Sequence, residues 1–96
     1  MQTIIARSLL NLKNNLNNLK KNKKIGLVPT MGCIHDGHLA LVKKSKKLKY
    51  FTVVSIFVNP TQFNKPDDLK NYPSQEKKDL EILKQYNVDL VFIPKA

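Results

Sequence analysis

An α/β fold built on a parallel sheet is what this chain predicts, and three observations predict it. Apolar and β-branched runs at 24–28, 51–58 and 88–93 have the continuous character of strands buried on both faces. Stretches with apolar residues at three- and four-residue steps alternate with them, as in helices with one buried face. Between the first run and the next helix lies a glycine-containing turn, Pro29-Thr30-Met31-Gly32-Cys33-Ile34-His35-Asp36-Gly37-His38. The alternation gives a βαβαβ order, and hence a parallel sheet with flanking helices.

Taken in order, residues 2–5 form a short strand. Leu9, Leu12, Leu16 and Leu19 then mark a helix over 8–21. Its polar positions, Asn11, Asn14, Asn15, Asn17 and Asn18, are poor helix formers, so this helix depends on packing. Residues 20–24 are a basic, solvated link. The strand at 24–28 is ended by Pro29, and a helix follows at 37–49 with Asp36 before it and lysines toward its end, both suited to the helix dipole. After the strand at 51–58, Asn59-Pro60 opens a polar loop to residue 73. Ser74 is placed to cap a helix reaching 86, with Leu80, Leu83 and Tyr86 on its buried side. The strand at 88–93 is stopped by Pro94. The chain ends just past it, with nothing left to cover it. Because a parallel sheet needs helices on both faces, the chain reads as cut short rather than completed.

Composition narrows the function classes. The chain has 96 residues, 42% of them hydrophobic, enough for an ordinary globular core. No apolar run is long enough for a membrane span, and the first residues lack a secretory pattern. A single cysteine, Cys33, fits a reducing compartment and a soluble, cytoplasmic protein. The net charge of +10 does not make a nucleic-acid binder: the lysines are spread along the chain and only Arg7 is arginine. The positive field favours anionic small molecules instead.

The chemistry concentrates in the turn. A strand–turn–helix unit brings backbone N–H groups and the positive end of a helix dipole to one point, where phosphate is held. His35 and His38 add donors that can follow charge developing on a phosphoryl group, and Gly37 leaves room for a phosphate at the backbone. The structural alternative is a hydrogen-bonded His35 and a capping His38. Zinc is disfavoured, because no third ligand lies at a usual spacing, and Cys33 has no sequence-near base to make it a nucleophile. A second cluster, Val58-Asn59-Pro60-Thr61-Gln62-Phe63, lies at the carboxyl end of a strand, where open α/β sheets bind ligands. Gln62 can offer a donor and an acceptor to a polar substrate there, or simply bond its own loop. Asp67, Asp68, Tyr72 and Asp79 read singly as surface or capping groups. No metal-ligand set is assigned, Asp79 being the single candidate.

These residues resemble a known family. Pro29-Thr30-Met31-Gly32 with His35-Asp36-Gly37-His38, then Val54 to Phe63, then Asp68-Leu69 and Tyr72-Pro73, are similar to pantothenate synthetases, also called pantoate–β-alanine ligases. The resemblance runs over essentially the whole chain. His-x-Gly-His alone indicates only the wider nucleotidyltransferase superfamily. The resemblance implies that residues 1–96 are the N-terminal part of a larger, Rossmann-like nucleotide-binding domain, with a smaller C-terminal domain absent, and a homodimer at full length. It implies ATP and Mg2+ as cofactors, and pantoate and β-alanine as substrates joined through a pantoyl adenylate. It implies that Pro29 to His38 hold ATP and that His38 and His35 are the catalytic pair, acting as imidazolium donors. Gln62 would bind pantoate beside the β-alanine site. The chain departs from the family in carrying Ser74 where an arginine commonly follows Tyr-Pro, and members are roughly three times as long, on the scale of two domains. The alternatives are another His-x-Gly-His nucleotidyltransferase, which the Asn59 to Phe63 cluster argues against, and a non-catalytic basic remnant or binding module.

Overall fold

Four apolar segments pair into one sheet because each can bury side chains on both faces. The computed structural model describes residues 3–57 and 72–94. Its elements are β1 (Ile4–Ala6), α1 (Leu9–Asn17), β2 (Ile25–Thr30), α2 (Asp36–Lys47), β3 (Phe51–Ile56), α3 (Tyr72–Gln85) and β4 (Leu90–Phe92). The strands lie in the order β1-β4-β3-β2, and every pairing is parallel. This is the α/β arrangement expected. Among the described residues, no helix is long and apolar enough to cross a membrane.

Successive side chains of β3 divide the core between the two faces, as the pleat requires. Val54 and Ile56 join Val28, Leu39, Val42, Leu83 and Val91 in the larger cluster, beneath α2 and α3. Val53 instead meets Ala6 and Leu90 in a smaller cluster lined by Leu12 and Leu16 of α1.

Several elements differ from expectation, each for a local reason. Helix α1 stops at Asn17 rather than near residue 21. Ser8 caps its start, accepting from Asn11 N at 3.1 Å. At its end Asn18 N and Leu19 N bond to carbonyls three residues back, at 3.3 and 3.1 Å, so the ladder tightens and ends in the asparagine-rich stretch. Pro29 lies within β2 instead of ending it. Thr30 O accepts from Phe57 N beside β3, so Pro29, one residue earlier, turns its nitrogen toward the free edge, where no donor is needed. Helix α3 starts at Tyr72, so Ser74 is its third residue and not its cap; Pro73 sits in the first turn, where a missing N–H costs nothing.

Strand β4, expected to be left uncovered, is interior. β1 flanks it, pairing Ile4, Ile5 and Ala6 with Leu90, Val91 and Phe92. Among the described strands the free edges are β1 and β2, and Leu27 on β2 is 60% exposed.

The amino end of the sheet is closed by a polar knot. Ser45 Oγ and Thr52 Oγ1 share a hydrogen bond of 2.7 Å. Thr52 N donates to Asp89 Oδ2 at 2.8 Å, and Lys46 Nζ lies 3.7 Å from the same oxygen. Lys23 Nζ also donates to Lys49 O at 2.8 Å, bringing the basic link against the basic end of α2 at this pole.

Candidate active site

The geometry of a parallel sheet sends β2 into its turn at the carboxyl end, where helix α2 begins. Three internal contacts shape that turn. Thr30 Oγ1 donates to Ser55 O at 3.0 Å and accepts from Gly32 N at 3.2 Å. Gly32 has φ 93° and Cys33 has φ 56°, so two successive residues take the left-handed region, glycine without penalty and cysteine with one. The half-buried Ile34 packs against the larger core cluster, and Cys33 is exposed.

Asp79 of α3 reaches across to this turn. It is fully buried, and it accepts from Cys33 N at Oδ2 and from Ile34 N at Oδ1, both at 2.9 Å. Gln75 Nε2, one helical turn earlier, donates to Oδ1 at 3.0 Å. The sequence reading treats Asp79 as a surface or capping group, or else as a metal ligand. Here its oxygens are occupied by internal donors. The overlooked signal is helical spacing: Gln75, Asp79, Leu83 and Tyr86 share one stripe, so an acid stands on the apolar side of α3.

Helix α2 is capped by the histidines. His35 is its extended N-cap, at φ −134° and ψ −178°. Its Nδ1 accepts from Gly37 N at 3.0 Å, while His38 Nδ1 accepts from His35 N at 3.3 Å. The rings stack with centroids 3.9 Å apart and planes inclined by 27°. Gly37 serves this stack directly: a Cβ there would lie 2.9 Å from His35 Cε1, so the glycine makes room for the ring and not only for a ligand.

The capping named as the structural alternative is therefore present, and it fixes both rings at the start of α2. An Nδ1 that accepts an N–H carries no proton, so each neutral ring holds its proton on Nε2. Burial and the adjacent His35 hold the His38 imidazole below its usual pKa of 6.5, with Asp79 pulling the other way. For His38 this direction favours the neutral ring, with its proton on Nε2, over the imidazolium expected from sequence. A further adjustment concerns the backbone. The amides of Gly32, Cys33, Ile34, His35 and Gly37 all have internal acceptors, so an anion here would meet the rings and the remaining amides of the first turn of α2.

Of the expected site residues, Pro29, Thr30, Met31, Gly32, Cys33, Ile34, His35, Asp36, Gly37 and His38 are continuous through the end of β2, the turn and the first turn of α2. Met31 is 66% exposed, whereas Thr30 is buried beneath the turn. Gln62, with the rest of the Asn59 to Phe63 cluster, Asp67 and Asp68, lies outside the described residues. Among the described residues no group of three or more His, Cys, Asp or Glu could hold a metal ion.

Comparison with known proteins gives the arrangement a context. The family model described as pantoate-beta-alanine ligase matches residues 4–96. The pantothenate synthetase of Francisella tularensis subsp. novicida is 50% identical over 91 residues, covering 95% of this chain and 35% of the relative. That of Francisella philomiragia subsp. philomiragia is 47% identical over 91 residues, with the same 95% and 35% coverage. Among solved structures, the pantoate-beta-alanine ligase of Francisella tularensis, complexed with beta-gamma ATP and beta-alanine, superposes with a TM-score of 0.78 at 48% identity. The match covers 96% of this chain and 35% of that one. Pantothenate synthetase from Thermus thermophilus gives 0.73 at 36% identity, covering 97% of this chain and 32% of its own. The chain spans 35% of the length of the curated relatives it matches. With a family match over nearly its whole length, this chain belongs to the pantoate–β-alanine ligase family.

Proposed function

We propose that this chain forms the nucleotide-side wall of a site that joins pantoate to β-alanine at the expense of ATP. The observation that carries the reading is the stacked imidazole pair at the start of α2, with both Nδ1 atoms tied to backbone N–H groups. The pair then offers two Nε2–H donors beside the positive end of a helix dipole. A relative 48% identical over this region, solved with beta-gamma ATP and beta-alanine, supports the same ligands here.

In the reaction so read, a pantoate carboxylate oxygen attacks the α-phosphorus of ATP. The bond from that phosphorus to the β-phosphate bridge breaks, and pyrophosphate leaves. The amine of β-alanine then attacks the acyl carbon of pantoyl adenylate, giving pantothenate and AMP with loss of a proton. Negative charge grows on the phosphoryl oxygens in the first step. His38, assisted by His35, donates Nε2–H bonds to those oxygens; fixed donors of this kind lower the barrier because they need no reorientation. Gln62 is assigned to pantoate, next to β-alanine. Magnesium accompanies ATP in this reading, but the described residues offer it no ligand set, Asp79 being occupied by Cys33 N, Ile34 N and Gln75, and no step is routed through it. The full-length protein is read as a cytoplasmic homodimer.

Pyrophosphate release with ATP and pantoate, followed by AMP formation on adding β-alanine, tests the assignment. It is measured for the chain alone and for the chain fused to the C-terminal remainder of the Francisella tularensis relative. His38→Ala in an active fusion is expected to slow adenylation by about a hundredfold or more while leaving the fold intact. A fusion that folds and binds ATP but never responds to pantoate would end the substrate assignment.

A further inference from the structure

The family reading uses the histidines but gives no role to the buried carboxylate behind them. Asp79 is 0% exposed, and among the described residues it accepts from Cys33 N and Ile34 N of the turn and from Gln75 of its own helix. A carboxylate is costly to bury unless its lone pairs are satisfied, so this one is built into the turn rather than left there. Its position explains the unusual backbone. Left-handed Cys33 is unfavourable for an L-residue, and the carboxylate stabilises that conformation by accepting the two N–H groups it turns inward. The Cβ direction of Gly32 also points at the carboxylate, with an added Cβ lying 3.5 Å from Oδ2.

We propose that Asp79 is a positioning residue for the histidine pair, holding turn 32–34 from α3 so that His35 begins helix α2 at the point where both rings stack. The chain of contacts is short. Asp79 fixes Ile34 N, Ile34 packs into the core, and the next residue is the N-cap whose ring lies on Gly37. The same carboxylate consumes the amides of Cys33 and Ile34, which would otherwise be free to meet an anion. It thereby shifts an anion away from the turn and toward the Nε2–H groups and the start of α2. The inference rests on the proposed function only in identifying that anion as nucleotide phosphate.

The test uses the 96-residue chain, whose two histidines give only two ring systems to resolve. Imidazole ¹⁵N–¹H correlation spectra report the tautomer of each ring, and a pH series reports the titration of His38. In the unaltered chain both rings are expected as Nε2–H tautomers. Asp79→Asn should keep the shape of the side chain but present an N–H to one of the two backbone donors. The expected result is a loss of tautomer preference in His35 and His38 and a lower titration midpoint for His38, with far-UV circular dichroism unchanged. ATP added as the probe should bind about tenfold more weakly to the variant, as for loss of one charge-assisted contact. A folded variant with unaltered ring spectra overturns the proposal. Should Asp79→Asn not fold, Gln75→Ala decides, since it removes one bond to Oδ1 and leaves the carboxylate. A smaller ring change in the same direction supports the proposal, and unchanged rings overturn it. If ATP leaves the unaltered chain's rings undisturbed, the nucleotide reading fails while the ring spectra still judge Asp79.

Discussion

Asp89 and Asp79 are both buried carboxylates that accept from backbone N–H groups, yet they stand at opposite ends of the sheet and hold different things. Asp89, just before β4, joins regular elements: it takes Thr52 N of β3 and pairs with Lys46 of α2. Asp79 holds an irregular turn with two left-handed residues and touches no strand ladder. One end of the sheet uses its buried charge to keep secondary structure together, and the other to hold an unfavourable loop whose value lies in where it puts two imidazoles. The difference teaches that burial and hydrogen bonding alone do not mark a functional aspartate; the conformation it supports does.

The largest effect should come from Asp89→Ala, which strips Thr52 N of its acceptor and leaves Lys46 without its partner. A loss of about 2 kcal/mol is expected in urea unfolding, with the histidine ring spectra unmoved. Ring changes as large as those of Asp79→Asn would dissolve the distinction. Gly26→Ala probes the same end by volume: an added Cβ would lie 2.9 Å from Ser45 Cβ and closer still to its hydroxyl. Overpacking of this kind should cost about 2 kcal/mol, again without a change at the rings.

Gly32→Ala moves the probe to the other end, and its cost has another origin. The nearest atoms to an added Cβ are Asp79 Oδ2 at 3.5 Å and Ile56 Cγ2 at 3.7 Å, so there is space. The φ of 93° is what an alanine resists, for about 1 kcal/mol or somewhat more. Although this loss should be smaller than that of Gly26→Ala, both rings should shift. Thermal unfolding and the imidazole spectra, taken on the same two variants, show whether stability and ring placement separate as the comparison requires.

What could be read from the sequence follows the same division. The strands and helices announce themselves through local apolar patterns, as Val53, Val54 and Ile56 do for β3 and Leu39 and Val42 for α2. The two histidines are legible because they sit three residues apart beside a glycine. The interior place of β4 was not legible, since strand order depends on β1, more than eighty residues away in sequence, pairing back onto it. Pro29 misled for a similar reason: whether proline ends a strand depends on which edge its nitrogen faces, a fact of sheet order. Asp79 and the turn it holds are 45 and 46 residues apart, so neither segment alone shows why the other has its shape.

The smallest predicted effect bears on the charge balance around His38. Burial and His35 lower its pKa, and Asp79 opposes them without reversing the direction. The unfolded chain, with an ordinary imidazole near 6.5, therefore binds the proton more readily than the folded one. This contribution to stability is complete above the unfolded value and is lost as pH falls through the lower folded one. His38→Gln removes the titrating group while keeping an acceptor that can reach the N-cap amide, as in an ordinary capping box. Urea midpoints measured from about pH 8 to about pH 5 should fall more for the unaltered chain than for His38→Gln, the carboxylates common to both cancelling in the difference. A steeper fall in the variant would mean that the Asp79 charge outweighs burial and His35 together. His38 would then be held as a cation, and Asp79 would act on the pair through its field more than through the turn.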